Sequence, residues 1–375
     1  MSKKNEYLDN IKLKKQSNQK TIKKYEELSN FKKASKMQSC FLAFHVENYK
    51  HKTQELIKSK SMPLATCQNK FCHICSFIKS KKTFVKTYTA LEKMKASNID
   101  FIAYHLTLTI KNPNVSNIDE HYKNMNKAFH NFIKNFDELN KYLIGWQAGR
   151  EVSQSANARK NNEFHPHIHC LLLLHPSFHN VKSRNNKITE SEFREKWLKC
   201  CAFYNIEAYQ ISFKKIKAKE DFINFYNEEK ESDPFLSAIA EVAKYPAKPS
   251  DIQKMTSEHF DILDKFLYKK RMFSSGGLLK EYLKKDKEDQ EILHIDNFEL
   301  LNILYCQFNS KNKLKTTELT PEQKESYLFY KKQGIDLHRI KLYYNDNKSE
   351  YYKRMQRRFN IFFKDHFVYD YEDLD

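Results

Sequence analysis

Apolar positions along the chain recur with a period that changes from segment to segment. Residues 104–110, YHLTLTI, alternate and are β-branched, which predicts a strand closed by Asn112-Pro113-Asn114. From 117 to 139 the large residues Ile118, Tyr122, Met125, Phe129, Phe132 and Phe136 fall on one helical stripe. Residues 142–153 and 164–174 read as two strands, joined into a hairpin by the polar stretch SANARKNNE. A helix over 188–203, a strand over 206–213, and helices over 218–230, 235–247 and 252–271 follow. The order β-α-β-β-α-β-α predicts an α+β fold, a mostly antiparallel sheet flanked by helices.

The remaining segments are patterned differently. Residues 1–36 are Lys-rich and poor in apolar clusters, which suits a flexible or loosely helical basic arm. Residues 37–82 hold four cysteines and read as a small metal-stapled module, and 83–97 suit a helix entering the main unit, 83–282. After Gly276-Gly277 the chain turns charged, so 283–375 is expected to be a mainly helical C-terminal region with no readable role.

Composition narrows the function. Lys and Arg total 66 against 47 acids, a net charge of +19, and such an excess suits a polyanionic partner such as nucleic acid. An AT-rich genome that writes Lys freely would produce the same bias. With 5 glycines and no G-x-x-x-x-G-K-[ST] or G-x-G-x-x-G string, a nucleotide-binding loop is not expected. MSKKNEYLDNIKLKK has no signal-peptide core and no run of 18 apolar residues occurs, so a cytoplasmic protein with reduced thiols, and no membrane contact, is expected.

Two strings carry candidate chemistry. In FHPHIHCLLLL, side chains on a strand alternate faces, so His165, His167 and His169 share one face and Cys170, Leu172 and Leu174 the other. Three imidazoles in a row build a poor core but ligate a divalent cation well. A hard cation, Mg²⁺ or Mn²⁺, also wants a carboxylate. Glu151, on the partner strand, is the first candidate for third ligand and His165 the second, while Glu163 lies in the turn. In AEVAKYPAK, helical spacing sets Glu241 beside Tyr245 and Lys248 one turn beyond. Pro246 would bend or end that helix. A phenol near a cation can attack a phosphodiester, and Glu241 is then placed to activate a water. A helix-face tyrosine with an i,i+4 glutamate is also ordinary surface chemistry.

Cys67, Cys72 and Cys75 form C-x₄-C-x₂-C, a ligand-like spacing for structural Zn²⁺. Cys40 or His73 would be the fourth ligand, and the adjacency of His73 to Cys72 makes it the awkward choice. The nearby KSKK, Phe71, Phe77 and Phe84 would suit DNA backbone contact and base stacking. Cys170, Cys200, Cys201 and Cys306 read as core residues.

FIAYHLTLTI, HPHIH, EVAKYPAK and FLYKKRMFSSGGLLKE, in that order, resemble the motifs of the rolling-circle plasmid replication initiators, members of the HUH endonuclease superfamily. The Cys-bearing segment resembles that family too, and the likeness covers roughly residues 37–282. His105 departs from it, standing where the family has a plain apolar or polar residue, and the chain past about 285 has no counterpart. The resemblance implies an HUH-like antiparallel sheet with His167 and His169 as metal ligands and Tyr245 as nucleophile. It implies nicking and joining at a single-stranded or hairpin site in a replication origin, through a 5′-phosphotyrosine link, with Glu241 serving a second cleavage. A host helicase and replicative polymerase are then expected partners; a homodimer is one assembly open to the chain, whose oligomeric state the sequence does not give. The competing expectations are a relaxase or single-strand transposase of the same superfamily, or a non-catalytic zinc-containing DNA-binding protein. The last leaves the histidine strand unexplained.

Overall fold

The alternating segments do form strands, and their neighbours decide where each one ends. A computed structural model of the chain describes residues 6–53, 57–63, 66–180, 189–216, 234–244, 247, 249–285, 298–309 and 312–332. The strands are β1 (Ala43–His51), β2 (Ile57–Pro63), β3 (Ile102–Ile110), β4 (Leu143–Ser153), β5 (His165–Leu174), β6 (Ala208–Lys215), β7 (Phe273–Gly276), β8 (Phe298–Phe308) and β9 (Leu314–Glu318). The helices are α1 (Glu6–Glu27), α2 (Phe31–Gln38), α3 (His73–Ala96), α4 (Ile118–Lys134), α5 (Asp137–Asn140), α6 (Ala156–Lys160), α7 (Ser177–Asn180), α8 (Glu190–Phe203), α9 (Pro234–Val242), α10 (Pro249–Lys254), α11 (Ser257–Leu267), α12 (Gly277–Lys285) and α13 (Pro321–Lys332). Two units result, Met1–Ser76 with His294–Asp375, and Phe77–Leu293.

In the second unit the sheet order is β6-β3-β5-β4-β7, and every neighbouring pair is antiparallel. β5 lies at the centre, so its LLLL run is buried on both faces, Leu171 through Leu174 each at 0% exposure. Each such leucine contributes about 1.5–3 kcal/mol on burial. One face packs through aromatic contacts onto α4 and α8, with Phe129 edge-on to Trp146 at 5.3 Å and Phe193 stacked on Phe213 at 4.0 Å. On the other, Ala103, Leu171 and Leu173 pack with Leu91 and Met94 of α3, Ile239 and Val242 of α9, and Leu279 of α12. That apolar cluster fills one half of the face and leaves the other half to the histidines.

Local chemistry corrects the expected boundaries. The helix expected over 188–203 starts at Glu190, because Thr189 and Glu192 form a capping box. The helix expected over 252–271 is split into α10 and α11, since the Thr256 side chain caps a new start by accepting from the His259 N–H. The 117–139 stripe divides into α4 and α5, and α9 ends at Val242 rather than at 247. SANARKNNE holds the short helix α6, capped by Ser155. The strand β7, unforeseen in FSSG, pairs with β4. The helix expected over 218–230 lies outside the described residues.

The first unit differs more from expectation. Its sheet, β2-β1-β8-β9, joins the cysteine region to the C-terminal region, so 283–375 contains two strands where helices were expected. β1, AFHVENYKH, buries polar positions as fully as it buries Phe44 and Val46. His45 and Glu47 are fully buried, and Glu47 accepts hydrogen bonds from Tyr49 Oη at 2.7 Å and Tyr327 Oη at 2.8 Å. Residues 6–27, expected within a flexible arm, form a packed helix that buries Leu8, Ile11, Ile22 and Tyr25. Lys15 is buried too, and its ammonium donates to the backbone carbonyl of Cys40 at 2.6 Å and to that of Gln38. A lysine satisfied by carbonyls carries no hydrophobic signal.

Candidate metal centres and active site

The register of the second sheet brings the histidine strand and the carboxylate together. His167 pairs with Glu151 on β4 and Thr109 on β3, and His169 pairs with Gly149 and Thr107. His167 Nε2 lies 3.0 Å and His169 Nε2 3.4 Å from Glu151 Oε2. The three side chains are only 8%, 12% and 3% exposed for His167, His169 and Glu151. One ligand atom from each of the three lies within 4.8 Å of the other two.

Hydrogen bonds set the direction of the lone pairs. His167 Nδ1 is 3.2 Å from the His165 carbonyl oxygen, which can only accept, so Nδ1 carries the proton. The Nε2 lone pair of the neutral ring then faces a carboxylate oxygen. Two acceptors at that distance require a second proton on the ring or a cation between them. His169 Nδ1 sits 3.4 Å from Thr107 Oγ1, and its buried Nε2 has no hydrogen-bond partner among the described residues. Two nitrogens and a carboxylate oxygen converging in this way fit a divalent cation. His165 stands apart from the three, its Nδ1 2.7 Å from Asn112 Oδ1. Glu163 accepts from the same asparagine at 3.3 Å.

Helix α9 ends over this strand region. A Cβ on Gly149 would lie 2.1 Å from the Val242 carbonyl oxygen, so only glycine lets the helix end approach the strand that carries Glu151. Glu241, on the last turn, is ion-paired with Lys244. Tyr245, Pro246 and Lys248 lie outside the described residues, while Ala247 is buried. His105, on β3, stacks on His169 with ring centroids 5.6 Å apart and planes 8° apart. Burial, then the neighbouring His169, pushes its imidazole down to about 4, against the opposing pull of Glu241. Of the other tyrosines, Tyr209 is 65% exposed on the edge strand β6, and Tyr204 packs edge-on against Phe203. Sequence reasoning missed Thr107, Gly149 and the His105 stack. The first two lie two residues from named positions along alternating strands, which is the signal that would have found them.

In the first unit, Cys40, Cys67, Cys72 and Cys75 gather with their sulfurs within 4.8 Å. Cys40 to Cys75 is 3.4 Å, Cys67 to Cys75 is 3.7 Å, and Cys72 to Cys40 is 3.7 Å. Thiolates on a tetrahedral Zn²⁺ with bonds of about 2.3 Å stand about 3.8 Å apart, so the group has the dimensions of such a site. Contact with Cys40, Cys72 and Cys75, then burial, pushes the Cys67 thiol well up, whereas, against burial, hydrogen bonds with Cys40, Cys67 and Cys75 hold Cys72 well down. Asn18 Nδ2 donates to Cys72 Sγ at 3.3 Å, and the Cys67 N–H points at Cys40 Sγ at 3.4 Å. His73 is not in the group; its backbone N–H donates to Asn18 Oδ1. Phe71 is 2% exposed, too buried to stack on a base, and Phe84 packs against the apolar cluster of the second unit. Cys170, Cys200, Cys201 and Cys306 are buried thiols, as expected.

Among the described residues, no helix is long and apolar enough to cross a membrane. A family model described as Replication protein matches residues 58–313. A curated "Replication protein" of Staphylococcus aureus is 28% identical over 206 residues, covering 52% of this chain and 79% of that relative. A "Protein rep" of Streptococcus pneumoniae serotype 2 is 23% identical over 253 residues, 68% of this chain and 71% of the relative. A "Protein rep" of Lentilactobacillus hilgardii is 22% identical over 280 residues, 73% and 82% respectively. No solved structure matches the chain significantly.

Proposed function

The chain belongs to the replication-protein family, the rolling-circle plasmid initiators that its motifs resemble, and on that premise we propose that it nicks and rejoins one DNA strand at a replication origin through a 5′-phosphotyrosine intermediate. The observation that carries this reading is the convergence of Glu151, His167 and His169 on one sheet face, against which the end of α9 is packed. Lys244, on the segment leaving α9, directly precedes Tyr245 in sequence. A bound Mg²⁺ or Mn²⁺ would polarise the scissile phosphate and offset its charge.

The chain's own residues do the rest. Glu151, His167 and His169 hold the ion, with ring tautomers set by the His165 carbonyl and Thr107. The Tyr245 phenol oxygen attacks phosphorus. The new O–P bond forms as the bond from phosphorus to the 3′ oxygen breaks; the phenol sheds a proton and the 3′ oxygen takes one up to leave as a hydroxyl, so the step is proton-neutral. Lys248 offsets charge on the phosphate. For release, Glu241 takes the proton of a water whose oxygen attacks phosphorus, the bond from phosphorus to the Tyr245 oxygen breaks, and the departing phenolate regains a proton. The cysteine group holds Zn²⁺ and folds its unit. The net charge of +19 favours DNA, and no helicase motif occurs, so unwinding and synthesis fall to a host helicase and polymerase.

Three variants test the reading on supercoiled origin DNA with Mn²⁺. Tyr245→Phe keeps the ring but removes the attacking oxygen, so cleavage and covalent adduct should both vanish. Glu241→Ala should still nick and form adduct but fail to release it. Lys248→Ala should slow both steps. Adduct formed by Tyr245→Phe would move the nucleophile elsewhere, to Tyr204 or Tyr209 next.

A further inference from the structure

His105 takes no part in the chemistry above, yet it lies against it. β3 pairs with β5 so that Thr107 faces His169, which makes His105 the diagonal neighbour of His169 on the same sheet face. The two imidazoles lie nearly parallel, 8° apart, with centroids at 5.6 Å. On its other side His105 pairs with Lys214 of the edge strand β6.

The two metal-ligating rings are held unequally. His167 is fixed at both nitrogens, by the His165 carbonyl at 3.2 Å and Glu151 at 3.0 Å. His169 has a 3.4 Å contact at each nitrogen, Thr107 Oγ1 at Nδ1 and Glu151 Oε2 at Nε2, both long for a hydrogen bond. Such long contacts hold the His169 ring only weakly about its Cβ–Cγ bond; the His167 ring meets it edge-on at 4.8 Å, and the parallel face of His105 supports it from β3. The Nε2 of His105 is itself buried without a partner among the described residues, so the useful property of this side chain is its plane.

We propose that His105 is a positioning residue, whose flat ring braces His169 and keeps its Nε2 aimed at the Glu151 carboxylate. The inference rests on the metal reading of Glu151, His167 and His169. It applies to metal affinity and not to the chemistry at phosphorus.

Two substitutions of similar bulk separate plane from volume. His105→Leu fills the space without a flat face, and His105→Phe keeps the face without nitrogens. Binding of Mn²⁺ to the full chain would be read from the electron paramagnetic resonance signal of the free ion, beside nicking rates across Mn²⁺ concentrations. His105→Leu should weaken Mn²⁺ binding about 10- to 100-fold, the usual cost of removing an outer-shell partner. Its nicking rate should return toward wild type when Mn²⁺ saturates. His105→Phe should bind Mn²⁺ nearly as the wild type does. Wild-type affinity in the Leu variant, or a loss in the Phe variant equal to that in Leu, would overturn the proposal. Melting temperature and zinc content check that both variants fold, and the Phe result alone decides if Leu does not. A wild-type chain that takes up no Mn²⁺ fails differently, removing the metal reading and the inference together.

Discussion

Cys40, Cys67, Cys72 and Cys75 of the first unit, and Glu151, His167 and His169 of the second, are both groups of ligand atoms within 4.8 Å, yet they are built for opposite ends. The first has four soft donors, enough to close a tetrahedron, carried on the turn after α2, a loop, and the start of α3. Lys15 and Asn18 of α1 tie two of those segments down, and a bound ion would join all of them at one point. The second has three mixed donors on the central strands of a sheet whose leucines are already buried. Its scaffold rests on that apolar core, and on the proposed reading three ligands would leave coordination positions for a phosphate oxygen. The comparison teaches that donor count and the element carrying the donors distinguish the two clusters, and the proposed structural and catalytic roles follow from that difference.

Removing one donor from each cluster should therefore give opposite results. In His167→Ala, Mn²⁺ affinity and nicking should fall by at least about 100-fold, more than an outer-shell change costs, with zinc content and melting unchanged. Cooperative unfolding lost along with nicking would show that the second cluster is structural as well. In Cys72→Ser, zinc should be lost and the first unit should cease to melt cooperatively, because the free energy of binding a structural Zn²⁺, about 10–16 kcal/mol, is folding free energy. The second unit should keep its own transition. A zinc-free variant with an unchanged melt would make the cysteines incidental.

A smaller effect tests how tightly the first unit is packed beyond its cysteines. Burial pushes the His45 imidazole from 6.5 down to about 4, against the pull of Glu47. Between those values the unfolded chain binds a proton that the folded chain refuses, so stability falls as pH drops from 6.5 to about 4. The shift corresponds to a loss of about 3 kcal/mol, complete near pH 4. His45→Phe should flatten this part of the pH profile of the first unit. An unchanged acid midpoint would place the sensitivity elsewhere, with Glu47 the next residue to replace.

The sequence by itself determined the main strands and the main helix of the second unit, and the shared face of its histidines. Alternation and helical stripes depend only on local geometry, so YHLTLTI, the Ile118–Phe136 stripe and HPHIHCLLLL located the strands and the main helix, and the one-face rule put His167 and His169 together. Spacing likewise picked out Cys67, Cys72 and Cys75. Only the tertiary structure decided what long-range pairing controls. It chose Cys40 over His73 to complete the cysteine group, and it set Glu151 opposite His167 while leaving His165 with Asn112. It also brought β8, more than two hundred residues away, against β1. The first unit hid its elements because it buries polar side chains: Lys15 on carbonyls, and Glu47 under Tyr49 and Tyr327. A buried polar group is stable only through a partner, and the identity of a distant partner is not written in local period.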